Sequence, residues 1–264
     1  MSAPGAQTRS QPITFDGMRG QLHACVIGAS GGIGNAIVEA LGASPQVARL
    51  YCAARSPITL AGALHGHQRI HRLSLDLTDE TSIETAARTI AGETDGLDLV
   101  FVATGILHDA RLQPEKRLRQ LSAANLGQSL AVNAIGPALV AKHFLPLLRR
   151  TEKSIFAALS ARVGSIEDNR LGGWYGYRAS KAALNMLLRT AAIELARTHP
   201  QAVCVGLHPG TVDSALSAPF QRGVPPEQLF TPAFSATRLL HVVASLDAED
   251  TGQLFAWDGQ RIPF

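Results

Sequence analysis

The sequence predicts an α/β fold: one doubly wound, parallel sheet with helices on both faces. Three observations predict it. Apolar runs alternate with helix-period segments along nearly all of the 264 residues. The first apolar run passes through a glycine-rich turn directly into a helical pattern. No linker or internal repeat divides the chain, whose length suits one large domain. Residues 1–20 are polar, carry Pro4, Gly5, Pro12 and Gly17, and read as a flexible extension ahead of a single domain over 21–264.

Residues 22–27 are a short apolar run ending in glycines, the pattern of a strand buried on both faces. Residues 33–41 have helical spacing. Residues 50–54 and 73–77 read as the second and third strands, 82–91 as a short helix and 97–103 as the fourth strand. A helical stretch follows over roughly 117–149, with a break expected near Asn125 and Gly127. Residues 154–159 are the fifth strand. Residues 177–197 form a long amphipathic helix free of Gly and Pro. The sixth strand, 203–207, is ended by Pro209-Gly210; 232–245 is a further helix and 253–257 a last strand.

Composition narrows the function. Hydrophobic residues make up 46% and charged residues 17%, so the chain has the means to bury a core and is not a disordered one. The net charge of +3 and the lack of any basic block point away from nucleic acid and from anionic membranes. No stretch approaches the apolar length of a membrane span, and the N-terminus has no signal-peptide core, so the expected location is the cytoplasm. Cys25, Cys52 and Cys204 lie in strand-like runs at wide spacing, which reads as buried thiols in a reducing compartment.

The chemistry begins at the first turn, Gly28-Ala29-Ser30-Gly31-Gly32-Ile33-Gly34. Glycines between a strand and a helix allow a pyrophosphate to approach backbone N–H groups at the helix N-terminus, the Rossmann-type arrangement. Three residues rather than one separate Gly28 from Gly32, a departure from the commonest fingerprint. At the end of the second strand an NAD enzyme places an acid; this chain has Arg55, which suits the 2′-phosphate of NADP(H), with NAD(H) the lesser choice. Asp76, followed by Leu77, is placed either to meet the adenine or to end the third strand.

Tyr177 and Lys181 stand four apart at the start of a helix and share a face. Their ordinary pKa values, about 10 and 10.4, are too high for acid–base work at neutral pH. An ammonium beside the phenol is expected to lower the Tyr177 value and make it a proton donor to a carbonyl oxygen as hydride arrives. Tyr175 has Ala179 at the same offset and no such partner. His65, His67 and His71 lie in a polar loop without matched Cys or carboxylate ligands, so no metal is expected. His208 at a strand end reads as packing. Phe144, Leu145, Leu147 and Leu148 read as core or subunit interface. The Gly-x-Ser-x-Gly elbow of a serine hydrolase is absent.

Gly28, Gly32-Ile33-Gly34, Asn133 and Tyr177-Arg178-Ala179-Ser180-Lys181, in that order, resemble the short-chain dehydrogenase/reductase family over about residues 20–264. Gly172-Gly173-Trp174-Tyr175 and Trp257-Asp258-Gly259 look like its C-factor-like branch, related to sniffer-type carbonyl reductases. The resemblance implies a proton relay from Tyr177 through the ribose and Lys181 to water held by Asn133. It implies that Pro209, Gly210 and Val212 hold the nicotinamide carboxamide, and that substrate lies against about 215–230, whose scarcity of charge favours an uncharged carbonyl or alcohol. It further implies a homodimer or homotetramer built on the two long helices. Three positions depart from the family. The usual Asn after the fourth strand is replaced by Val102-Ala103-Thr104-Gly105, leaving Thr104, Gly105 and backbone to serve. Ile27 stands where Thr commonly precedes the first glycine. Anchoring the serine motif on Gly164 puts Ser160 at its first serine and Ala161 at the second, usually catalytic one, which leaves Ser160, Ser165 or neither as the substitute. A non-catalytic dinucleotide-binding or intercellular-signalling protein is the competing reading. A sugar-nucleotide epimerase is disfavoured, because only about fifty residues follow Pro209.

Overall fold

Strand β1 (Leu22–Ile27) runs up the middle of a seven-stranded sheet between β2 (Val47–Ala54) and β4 (Leu99–Val102). The remaining strands are β3 (Ile70–Ser74), β5 (Ser154–Leu159), β6 (Ala202–His208) and β9 (Leu254–Ala256). Their order is β3-β2-β1-β4-β5-β6-β9 and every pairing is parallel. A two-residue pair, β7 (Thr211–Val212) with β8 (Leu229–Phe230), lies outside this sheet. The computed structural model describes residues 13–60, 64 and 66–264.

The inner strands β1, β4, β5 and β6 are largely apolar on both faces because helices cover both. On β6, Val203, Val205 and Leu207 pack with α1 (Gly32–Ala43) and α6 (Pro232–Ser245). Ala202 and Cys204 turn the other way, into the cluster with α2 (Glu80–Glu93), α4 (Gly136–Phe144) and α5 (Tyr175–Leu195). Phe101 and Phe156 are fully buried on opposite faces, each burial contributing roughly 1.5–3 kcal/mol. The three cysteines are free and buried. Ile13 and Phe15, within the 1–20 segment, pack into the α1/α6 cluster, while residues 1–12 of that segment lie outside the described residues.

The third strand sits three residues earlier than its apolar pattern suggests. Its partner β2 ends at Ala54, opposite Ser74, so 75–77 have no strand to extend beside. The long helical stretch also differs. Residues 117–122 are outside it, and Ser122 Oγ caps α3 (Ala123–Leu130) by accepting from Asn125 N (3.1 Å). No break occurs at Asn125 or Gly127; the irregularity is a π-helical turn over Ala131–Ile135, where Gly136 N donates to Ala131 O. Contrary to the expectation that no stretch approaches a membrane span, the run Ala123–Leu147 reaches the length and hydropathy of one. Its apolar residues Val140, Ala141 and Phe144 instead belong to the core under α5.

β1 and β4 are neighbours whose connections leave in opposite directions. Ligands of such sheets bind above the strands' carboxyl ends at this switch point.

Candidate active site

The turn after β1 is shaped by what a side chain would strike. Gly28 has φ +86°, and a Cβ there would come within 2.7 Å of Thr104 Cγ2 and 2.8 Å of the Ala103 carbonyl oxygen. A Cβ on Gly34 would collide with the Gly28 carbonyl oxygen. Gly28 N and Ala29 N donate to Ala53 O (2.8 and 3.1 Å), tying the turn to β2. No side chain caps α1 and no acid occupies its first turn, so its positive end is left open beside the exposed Ser30, Gly31 and Gly32. Gly34→Ala is expected to cost about 1–3 kcal/mol, a fall in melting temperature of roughly 2–10 °C by scanning fluorimetry. A variant melting like wild type would mean that the turn has room to shift.

Arg55 is 75% exposed, with Nη1 3.9 Å from Asp76 Oδ2. The Thr78 N–H and hydroxyl (2.9 and 2.7 Å to Asp76 Oδ1), then Arg55, hold the Asp76 carboxyl below its usual range. Leu77 is fixed by close approach to α4: a Cβ on Gly136 would lie 2.9 Å from the Leu77 carbonyl oxygen.

Tyr177 and Lys181 lie on α5. Lys181 is 2% exposed, donates to Leu159 O (2.8 Å), and has Nζ 5.9 Å from the centre of the Tyr177 ring. Burial pushes the Tyr177 phenol up to about 12 and the Lys181 amine down to about 7. This reverses the direction expected for the phenol from sequence. A lysine withdrawn from water holds its charge poorly, so it gives the phenolate little support, and desolvation decides both groups. Asn133, in the π turn, accepts from Ile106 N and donates to Ile106 O (both 2.8 Å) and to Ser180 Oγ (3.1 Å). Ser180 Oγ donates in turn to Tyr177 O (2.8 Å). Pro137 lacks the N–H that would pair with the Asn133 carbonyl in a regular helix. Gly105 lies against this pair; a Cβ there would stand 3.6 Å from Lys181 Nζ.

The N-terminus of α5 is held from a distance. Trp174 is left-handed (φ +50°) and has no capping side chain of its own. Glu115, 3% exposed, supplies the cap: Oε2 accepts from Gly176 N (3.0 Å) and its carbonyl accepts from Trp174 N (2.5 Å). Trp174 thereby stands edge-on to Tyr177 (6.2 Å) and to Phe220 (5.1 Å). Neither Glu115 nor this geometry has a signature in the sequence.

Ser160 and Ala161 both line the cavity; Ser160 Oγ donates to Asn185 Oδ1 (2.6 Å), and Ser165 Oγ accepts from Asp168 N (3.0 Å). After β6, Gly210 (φ +78°) packs so closely that a Cβ would lie 2.5 Å from Phe230 Cε2. Ser235 Oγ donates to Pro209 O (2.8 Å), and Val212 is buried in the β7–β8 pair. Among the described residues no cluster of three metal-ligating side chains occurs. His65 lies outside them, and His71 Nδ1 is 3.4 Å from Glu93 Oε2.

One cavity of about 670 Å³ joins these parts, from Gly32 and Thr104 to Tyr177, Lys181, Ala161 and His208. Among the described residues no carboxylate side chain lines it. The Thr104 hydroxyl is buried without a partner.

The short chain dehydrogenase family model matches residues 22–224. An uncharacterized oxidoreductase of Schizosaccharomyces pombe is 30% identical over 254 residues, covering 90% of this chain and 96% of the relative. The C-signal of Myxococcus xanthus is 34% identical over 142 residues, 53% of this chain and 80% of that protein. The NADPH-bound carbonyl reductase from chicken fatty liver superposes with TM-score 0.79 at 26% identity, covering 92% of this chain and 98% of that one. The carbonyl reductase Sniffer of D. melanogaster gives TM-score 0.79 at 24% identity over 92% of this chain and 100% of that one, a likeness of fold.

Proposed function

This chain belongs to the short-chain dehydrogenase family, and on that premise we propose that it is an NADPH-dependent carbonyl reductase with Tyr177 as its proton donor. The observation that carries the reading is the single cavity joining the open N-terminus of α1 to Tyr177 and Lys181.

The residues fit a nicotinamide dinucleotide. The close approach at Gly28 and Gly34 and the uncapped N–H groups of Gly32, Ile33 and Gly34, with Ser30, suit a pyrophosphate. Arg55 suits a 2′-phosphate, Asp76 and Leu77 the adenine, and the buried Thr104 hydroxyl, with Gly105, the path between. Pro209, Gly210 and Val212 form the rigid turn for the carboxamide, and Tyr177 and Lys181 stand ready for the ribose. Bound NADPH supplies the hydride.

The protein supplies the proton and the setting. With its pKa near 12, Tyr177 stays protonated across the working range and donates to the substrate oxygen as that oxygen becomes an alkoxide. Lys181, near 7, exchanges protons at working pH and restores the phenol. The Asn133 carbonyl, deprived by Pro137 of its regular helical partner, is the acceptor for the water that refills the relay. Trp174, Phe220, Leu216 and Val224 give an uncharged substrate an apolar wall. Exposed Met186, Leu187 and Ile193 on α5 suit the homodimer or homotetramer contact.

Titration with NADPH and NADH, followed by nicotinamide fluorescence, tests the reading: selective NADPH binding supports it, and binding of neither overturns it. Arg55→Asp is expected to move the NADPH/NADH preference by at least about tenfold toward NADH, since it removes a charge-assisted bond to phosphate. An unchanged ratio would take Arg55 out of the site. Ala161 favours one other reading, a nucleotide-binding signalling protein, which tight binding without turnover over a broad carbonyl panel would support.

A further inference from the structure

We propose that the His208 imidazole is the second hydrogen-bond donor to the substrate's carbonyl oxygen, doing from the end of β6 what no hydroxyl does from the end of β5. The assignment rests on the reductase reading above.

A carbonyl oxygen gains nearly a full negative charge as hydride arrives, and a fixed donor aimed at it is worth about 10²–10³ in rate. Tyr177 supplies one donor. Three other polar side chains that line the cavity are already engaged. Ser160 bonds Asn185 (2.6 Å), His108 Nε2 meets Ala215 O (3.0 Å), and Ser217 Oγ bonds Val212 O. Ala161 offers a methyl group. His208 is different: its ring lines the cavity, Nδ1 is sealed from solvent without a partner, and Nε2, which bonds no protein group among the described residues, is the nitrogen left to carry the N–H toward substrate.

Its placement follows from the sheet. Leu159 pairs with Leu207, and Ser160 N donates to Leu207 O (2.7 Å), so His208 stands one step on, opposite Ser160 and beside Ala161. Side chains alternate along a strand. Ala202 and Cys204 face α5, so His208 falls on that face too, the side that carries Tyr177 and Lys181. Burial, then the nearby Arg162, holds the imidazole down to about 4 against the pull of Asp258. The ring is therefore neutral at working pH, with one N–H to donate, and does not compete with Tyr177 as the acid. In the step itself hydride joins the carbonyl carbon and the Tyr177 proton joins the oxygen. The His208 N–H keeps its proton, and its bond to oxygen tightens as charge builds.

The test measures single-turnover NADPH oxidation on the best ketone for wild type, His208→Leu, His208→Gln and the double variant His208→Leu/Ala161→Ser. The expected results are a fall of about 10²–10³-fold in His208→Leu, with NADPH affinity and melting temperature held, and partial recovery in His208→Gln, which keeps an N–H donor. The double variant is expected to recover at least about tenfold, because a serine at 161 presents a hydroxyl to the same oxygen. As a readout apart from turnover, the His208 ring ¹⁵N resonance is expected to shift when the ketone saturates the NADP⁺ complex. A His208→Leu rate within about threefold of wild type, a double variant no faster than His208→Leu, or an unmoved resonance would overturn the assignment. Wild type that oxidises NADPH with no carbonyl would sink the reductase reading itself, a failure distinct from loss of the His208 role alone.

Discussion

Tyr177→Phe is expected to lower the rate of carbonyl reduction by about 10²–10⁴-fold, far more than it weakens NADPH binding through the lost ribose contact, with thermal stability in place. The ring keeps its edge-on contact with Trp174 and its place on α5, so packing is conserved. What is lost is the phenolic proton. Burial holds that proton on up to about 12, so in wild type the reductive rate stays free of any Tyr177 ionisation through the neutral range. Alcohol oxidation, which needs the phenolate, should instead climb steadily with pH. Stopped-flow decay of NADPH absorbance in both directions checks the two halves together. A Phe variant that reduces ketones at the wild-type rate would remove Tyr177 from the mechanism.

Lys181→Met is expected to make the protein inactive and more stable, and the stability gain is expected to disappear at high pH. The amine is depressed to about 7 in the folded chain, against 10.5 when free. An amine with a lowered folded value weakens the fold most where the unfolded chain is charged and the folded one is not free to be. The cost is therefore complete below about pH 7 and shrinks as pH rises toward 10.5. Methionine fills nearly the same space without that cost, though it leaves the Leu159 carbonyl without its 2.8 Å partner. The net gain is about 2–4 kcal/mol near pH 6, a rise of roughly 4–15 °C in melting temperature. Melting curves at pH 6 and pH 10 decide it. A variant that melts lower at pH 6, or a difference indifferent to pH, would contradict the charge argument.

Continuous apolar runs and a glycine turn made the sheet legible, because strands buried on both faces carry no other signature than hydrophobicity. The Tyr177–Lys181 spacing was equally readable. It gave the partnership and missed the direction of the phenol's shift, since burial is a property of everything packed around α5 rather than of a four-residue interval. Strand β3 was displaced because its length is set by where β2 stops, not by its own leucines. The helix break expected near Asn125 and Gly127 is instead a π turn at Ala131–Ile135, where Pro137 and the close approach of Gly136 to Leu77 decide it. His208 read as packing because a histidine before Pro-Gly has no periodic partner. Its unbonded nitrogen is visible only once β5 and β6 are side by side.

The cap that Glu115 places on α5 turns a local event into a distant one. An ordinary helix start can form in a nascent or fragmentary chain; this one closes across 61 residues of sequence. The first turn of α5 is thus expected to resist amide hydrogen exchange as firmly as the central strands, opening only when the molecule opens as a whole. Partly folded forms that keep α5 would still lack a positioned acid, so reductase activity should return on refolding with the last of the tertiary structure and not with the helix content.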